Sequence, residues 1–425
     1  MRDLSAQENQ PGVRSVVGSY SSSLPPSRPL QYVFYAFIFF IPLETLSQNF
    51  GLGSDQFTVT RMIGLVLILA ALLESQVCFS QVPVAFWWFV VYQLAYLLLG
   101  VLQKVNVDWS FVPPMLTRCQ LLLLLLIVYN LILDKRTGER ALLVLVISCV
   151  TLGILMLSGI ATDVDRLRVG RLAVVGADPN EIGMVLSLGV IALIGYAFNQ
   201  RGRGFVTQVL IWASFGFLSA AIVSTGSRGA LVALVSGILA WGLLFGSRWQ
   251  YSRYTVLLVA VVSIGIILSI IYSSDTAMTR WDKTLETGDM AGRDKIYPAS
   301  WQMFLEGPLI GWGPVNYGYE LGSRTGTLYR GAHNLYLYVL IETGLAGAIP
   351  FFGALWLCWK SAWHNRQGPY GVSPLALLVV VLIANLSVEC LDRKLVWVVL
   401  AYALAGGYGK VSNLSRRQSP EADFA

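Results

Sequence analysis

The hydrophobic positions of this chain run in long blocks, without the alternation of strands or the one-sided stripe of a soluble helix. Blocks lie at about residues 30–46, 59–73, 84–102, 115–133, 141–160 and 182–198. Phe205–Phe245 is a double-length block broken only by Ser224-Thr225-Gly226-Ser227-Arg228-Gly229, which reads as two helices in a tight hairpin. Further blocks at about 254–272, 335–359, 375–390 and 395–408 close the series. A spanning helix needs roughly 20 apolar residues to cross about 30 Å of hydrocarbon. The pattern therefore predicts an all-α polytopic membrane protein of about twelve transmembrane helices, two of them short. Residues 30–409 form one integral membrane domain. Residues 1–29, rich in Ser, Pro, Gln and Gly, predict a disordered tail, and residues 410–425 a second, basic tail.

Composition supports the same class. The chain is 55% hydrophobic and 13% charged, with mean hydropathy +0.62, whereas soluble domains carry about 25% charged residues. Its five cysteines show no metal-binding or disulfide spacing. Arginine far outnumbers lysine. That matters because a guanidinium fork grips phosphate bidentately and an ammonium does not.

Orientation follows from the basic residues of the short loops. Lys135, Arg136 and Arg140 fall together, as do Arg201 with Arg203, Arg248 with Arg253, and Lys360 with Arg366; Lys410, Arg416 and Arg417 follow in the tail. These alternate correctly to be cytoplasmic, which predicts both termini inside. The large loop 273–332, the Arg228 hairpin and the Asp163–Asn180 loop then face outward.

Several arginines break this rule. Arg61, Arg118 and Arg228 sit near outer helix ends, Arg166, Arg168 and Arg171 share one outer loop, and Arg280, Arg293, Arg324 and Arg330 another. An arginine in hydrocarbon costs at least ~2.5 kcal/mol. Any one of them is accounted for by snorkelling or by pairing with an acid. Several at one membrane face are better explained by an anionic ligand, such as a lipid-linked phosphate or pyrophosphate. His333, at the mouth of the block that opens at Leu335, lies beside these arginines, and its ordinary pKa of about 6.5 suits proton transfer. A lone histidine there is more often structural, but its company favours chemistry. His364 has no such company. Glu342, nine residues on, lies roughly 13 Å along the same helix and predicts an intramembrane acid with a structural partner. The aromatic residues between 297 and 338 serve equally as an interfacial belt or as sugar-stacking platforms. Asp282, Glu286 and Asp289 read as a solvated face, so no metal site is predicted.

The series Gly292-Arg293, Trp301, Gly307-Pro308, Gly311-x-Gly313, His333-Asn334-x-Tyr336 and Glu342-x-Gly344-x-x-Gly347 resembles the O-antigen ligase and polymerase superfamily. Ser224-x-x-Ser227-Arg228-Gly229 and Asp178-Pro179-Asn180 match it too. The resemblance covers about residues 170–350 by motif. It implies a bacterial inner-membrane glycosyltransferase of the C-type fold, metal-independent and inverting, without cofactors, with its site on the periplasmic side. The implied donor is an undecaprenyl-pyrophosphate-linked glycan, and the acceptor lipid A-core or another glycan. By motif, Arg228 and Arg293 would bind the pyrophosphate and His333 would be catalytic. Arg61, Arg118, Arg324, Arg330 and Asn334 are further candidate phosphate or acceptor contacts. The expectation leans to a ligase onto lipid A-core, with a polymerase of the same superfamily as the alternative. A lipid-linked glycan transporter is the alternative of another class, against which stands the absence of an internal repeat.

Overall fold

A segment in hydrocarbon must pair every backbone N–H and C=O internally, and a helix does so locally, which is why the apolar blocks become helices. The computed structural model describes residues 25–44, 58–102, 112–160, 162, 170–174, 176–199, 204–245, 253–288 and 290–406. Most of the expected N-terminal tail, the C-terminal tail, and Arg166, Arg168, Arg201, Arg203 and Arg248 lie outside these residues. The helices are α1 (Arg28–Phe40), α2 (Val59–Leu73), α3 (Ser75–Cys78), α4 (Val84–Leu102), α5 (Val112–Leu131), α6 (Lys135–Leu157), α7 (Pro179–Asn199) and α8 (Phe205–Ser224). They continue with α9 (Arg228–Leu244), α10 (Arg253–Tyr272), α11 (Asp275–Thr287), α12 (Arg293–Glu306), α13 (Asn316–Thr325), α14 (Leu335–His364), α15 (Ser373–Ala384) and α16 (Lys394–Ala405). Among the described residues the one extended pairing is an isolated bridge between Thr162 and Val174.

Every expected apolar block coincides with a helix, but among the described residues length and composition establish fewer than twelve crossings. Helices α4, α5, α6, α7, α8 and α14 are long and apolar enough to cross a membrane, and α10 with α11, bent by 89°, makes a seventh if the pair is one span. Helices α2, α9, α15 and α16 are apolar but shorter. A 12-residue helix such as α15 covers about 18 Å, well short of the hydrocarbon layer.

Two boundaries differ from expectation. The block expected to run through Cys390 stops at Ala384, because Asn385 turns its side chain onto the chain itself: Nδ2 donates to Val381 O (2.8 Å) and Oδ1 accepts from Cys390 N (2.9 Å). A nine-residue connection, 385–393, replaces the four-residue one expected. Helix α14 is broken at Gly344 (φ 56°, ψ −158°). There the Gly307–Gly313 turn docks against it: Leu345 and Ala346 donate to Pro308 O (2.8 Å) and Leu309 O (3.0 Å), while Trp312 and Gly313 donate to Ile341 O (2.7 Å) and Glu342 O (2.9 Å). Each interruption satisfies the other's backbone. The approach also explains two glycines. A Cβ on Gly311 would lie 2.6 Å from Gly344 N, and one on Gly344 2.5 Å from Leu309 C.

Helix α7 lies at the centre of one group, packed against α6, α8, α9 and α15; a second group joins α4 to α14 and α5 to α16. The 273–332 segment, expected as a loop, is largely helical, with α12 laid against α14. Together these place the ends of α7, α9, α12, α14 and α15 on one face.

Candidate functional site

The hairpin between α8 and α9 is a rigid turn. Thr225 Oγ1 accepts from Ser227 N (3.2 Å), Ser227 Oγ caps α9 by accepting from Ala230 N (3.3 Å), and Gly226 takes φ +61°. Arg228 opens α9 and is half-buried, with Nη1 donating to the carbonyl of Arg280 on α11 at 3.1 Å. Arg171 reaches the same turn from the segment before α7: Nε donates to Thr225 O and Nη2 to Asn180 Oδ1, both at 3.0 Å. The side chains of Arg171 and Arg280 flank Gly226, within 3.5 Å of where its Cβ would lie. Three arginines distant in sequence thus meet at one turn.

His333 lies just before Asn334, which caps α14. Its φ of +49° is uncommon for a residue with a Cβ and costs about 1–3 kcal/mol. The neighbouring connection 385–393 holds that conformation. Leu335 N donates to Asn385 O (2.9 Å) and Asn334 Nδ2 to Leu386 O (3.3 Å). Tyr297 Oη bridges Leu386 O (2.6 Å) and His333 O (3.2 Å). Arg293 Nη2 donates to Ser387 O at 2.7 Å, and its Nε is buried without a hydrogen-bond partner. Ser387 in turn packs its side chain against Gly229, the residue after Arg228. The connection 385–393 is therefore the bridge between Arg228, Arg293 and His333.

Burial and the Arg293 and Arg330 cations push the His333 pKa down, while Asp178 pulls it up. The imidazole is thus held as the free base at neutrality, as a proton acceptor must be. Glu389 is moved the other way. Burial, helped by the charges of Glu342 and Asp392, pushes its carboxyl up to about 7, against hydrogen bonds from the Ala332 and His333 amides. Its Oε2 is sealed from solvent without a hydrogen-bond partner.

The remaining candidates fall into two groups. Arg330 stays with the site, its guanidinium beside Gly292. The others are engaged structurally. Arg118 is buried on α5, with Nε 3.1 Å from Asp392 and both Nη atoms 3.4 Å from the Glu342 carboxylate. It also donates to Tyr338 Oη and lies 3.9 Å over the Tyr96 ring. Glu342 thereby has its structural partner. Arg324 is clamped by Glu306 (2.6 Å) and Glu320 (2.7 Å). Asn334 spends its Oδ1 on the Tyr336 and Leu337 amides. Arg61 is exposed on the first turn of α2, near the Glu44–Lys394 pair.

Sequence reasoning passed over the connection 385–393. Its signal was the run Asp392-Arg393-Lys394 together with Glu389, four charges beside an apolar helix. Arg393 bonds Glu181 on α7 (2.6 Å) and Asp392 bonds Arg118, which fixes the bridge to both helix groups. Among the described residues no three His, Cys, Asp or Glu side chains gather in metal-binding geometry.

No curated protein matches the chain at significance. Residues 213–352 match the family model described as O-Antigen ligase. The match opens within α8, spans the Arg228 hairpin, Arg293 and His333, and closes just beyond the break in α14, whereas Arg171, Asp178 and the connection 385–393 are brought to it only by folding. The segment of the chain that carries the hairpin, the histidine and the broken helix is thus similar to the O-antigen ligase family, over about a third of the chain.

Proposed function

We propose that this protein is an inverting, metal-independent glycosyltransferase of the bacterial inner membrane. It moves a glycan from undecaprenyl pyrophosphate to an acceptor hydroxyl on the periplasmic side, with lipid A-core as the preferred acceptor. The observation that carries the reading is the joining of Arg228 and Arg293 across Ser387, with the chain at His333 held against the same connection. In the reaction the acceptor oxygen attacks the anomeric carbon as the bond to the pyrophosphate oxygen breaks. Arg228 and Arg293 meet the charge that develops on the leaving group, which fixed donors stabilise without reorganising. His333 takes the acceptor proton, and the in-line approach inverts the anomeric centre. Arg171 and Arg280 deepen the positive field at the hairpin.

The test is product analysis with purified protein, a defined lipid-linked glycan and lipid A-core. Glycan found on lipid A-core supports the ligase reading, and longer chains still on the carrier support the polymerase. Glycan that never changes its covalent carrier sinks both and leaves a transporter. Activity abolished by a chelator and restored by magnesium removes the metal-independent mechanism. The orientation has its own test: cysteines placed at Ser323 and Thr327 react with an impermeant thiol reagent from the periplasmic side, and one at Gln367 does not.

A further inference from the structure

We infer that the C-terminal half of α12 and the Gly307–Gly313 turn form a re-entrant surface. Its partner is the lipid hydrocarbon of the leaflet on the site's side, although these residues belong to a segment that reads as an extramembrane loop.

The argument begins with depth. Trp359 and Trp363 stack at 6.3 Å near Lys360, toward the far end of α14. An aromatic pair beside a lysine marks a headgroup layer. From Trp359 back to Leu345 is fourteen residues, or about 21 Å of helix, against roughly 30 Å of hydrocarbon. Leu345 therefore sits some 9 Å inside the opposite boundary on these dimensions. The turn is bonded at this level, through Pro308 O and Leu309 O to the Leu345 and Ala346 amides.

Surface chemistry agrees with the depth. Leu309 and Ile310 are 68% and 53% exposed, and Trp301 and Leu305, one helical turn apart on α12, are 50% and 59% exposed. The opposite face of α12, Ile296, Ser300 and Met303, is buried. The exposed group continues a stripe of Leu345, Ile349 and Trp356 down α14, the lipid face of a spanning helix. Exposed apolar side chains continuous with that face have one favourable solvent at this depth. The backbone meets the corresponding requirement: non-helical chain at membrane depth is tolerated where its polar groups are paired, and the turn pairs four of them with the break in α14. Next to the turn, Glu306 and Arg324 bond to each other through two contacts at 2.6 and 2.9 Å, Arg324 also holds Glu320 at 2.7 Å, and its guanidinium lies over the Trp312 ring. Such an ion-paired, aromatic-backed cluster suits the headgroup boundary just above.

The test uses the full chain in proteoliposomes, with the exposed Cys119 replaced by Ser and single spin-labelled cysteines at Leu309, Ile310, Ser323 and Ile349. Collision with molecular oxygen is compared with collision with a water-soluble nickel chelate. Labels at 309 and 310 are expected to match 349, with an oxygen-to-nickel ratio about tenfold above that at 323, because hydrocarbon excludes the polar chelate. Labels at 309 and 310 that follow 323 overturn the inference. If either turn variant does not elute as a folded species, Leu305→Cys on α12 gives the same reading from a position that is 59% exposed. This outcome does not depend on which reaction the protein performs.

Discussion

Arg293 donates from Nη2 to the main-chain carbonyl of Ser387 at 2.7 Å, across ninety-four residues of sequence. The bond spends one edge of the guanidinium on position and leaves Nε buried without a partner. An arginine held this way is a fixed donor. Arg293→Lys keeps the charge but has neither the fork nor the second edge. We expect glycan transfer to fall about 10²–10³-fold, the usual cost of losing one preorganised donor, with elution unchanged. Arg228→Lys should behave alike, since its turn is equally fixed. Wild-type transfer by both variants would remove the arginines from the mechanism.

His333→Ala should separate chemistry from binding. Loss of one acid–base group costs ~10²–10⁴-fold in rate, while retention of the lipid-linked donor stays near wild type. The substitution leaves a residue at φ +49°, so His333→Asn, which tolerates that backbone better, serves as the folded control. Transfer at the wild-type rate by either variant contradicts the assignment.

Glu389 and His333 give opposite pH dependences of stability. The folded Glu389 carboxyl binds its proton up to about pH 7, from an ordinary value of 4.5. Its raised pKa means that stability declines as pH rises from about 4.5 through about 7. His333, lowered by burial and by Arg293 from its ordinary 6.5, costs stability as pH falls below 6.5, where only the unfolded chain takes up a proton. Glu389→Gln removes the first slope. Thermal midpoints in detergent should then lose their decline toward neutrality and retain the loss on acidification. An unchanged profile would show that Glu389 is ionised throughout.

Arg118 should differ from the site arginines in kind. It is enclosed by Glu342, Asp392 and Tyr338, and removing one partner of a buried pair costs about 3–5 kcal/mol. Arg118→Met is expected to lower the melting midpoint and the yield of folded protein, whereas Arg228→Lys lowers only turnover. Adding Glu342→Gln to Arg118→Met should recover part of the midpoint, since it removes the stranded charge. A variant folded as well as wild type but unable to transfer glycan would return Arg118 to the substrate site.

The break in α14 makes its own prediction. Gly344→Ala places a Cβ within 2.6 Å of the Gly311 and Ile310 amides at a positive φ, so the turn should undock and both stability and transfer should fall. Gly265→Ala on α10, with nothing within 4 Å, should do neither. Equal behaviour of the two would show that the docked turn is dispensable.

The sequence by itself determined the helical blocks, since unbroken apolar runs have one way to satisfy their backbone in lipid, and it singled out Arg228, Arg293 and His333, because cations and a histidine stand out against hydrocarbon. It also marked Gly311 and Gly344, without the reason. Tertiary structure decided the rest. Arg118 carries the same charge as Arg228, yet only packing reveals that its partners are Glu342 and Asp392, because ion pairing depends on distances across more than two hundred residues. Asn334 is polar beside the histidine, but its side chain is consumed by the helix it caps. The connection 385–393 carries no glycine-rich or aromatic signature, and its importance lies in main-chain carbonyls at Leu386 and Ser387, which every residue possesses and no sequence displays. How many of the apolar helices cross the membrane turns on lengths that the folded boundaries alone define, as where Asn385 ends α15.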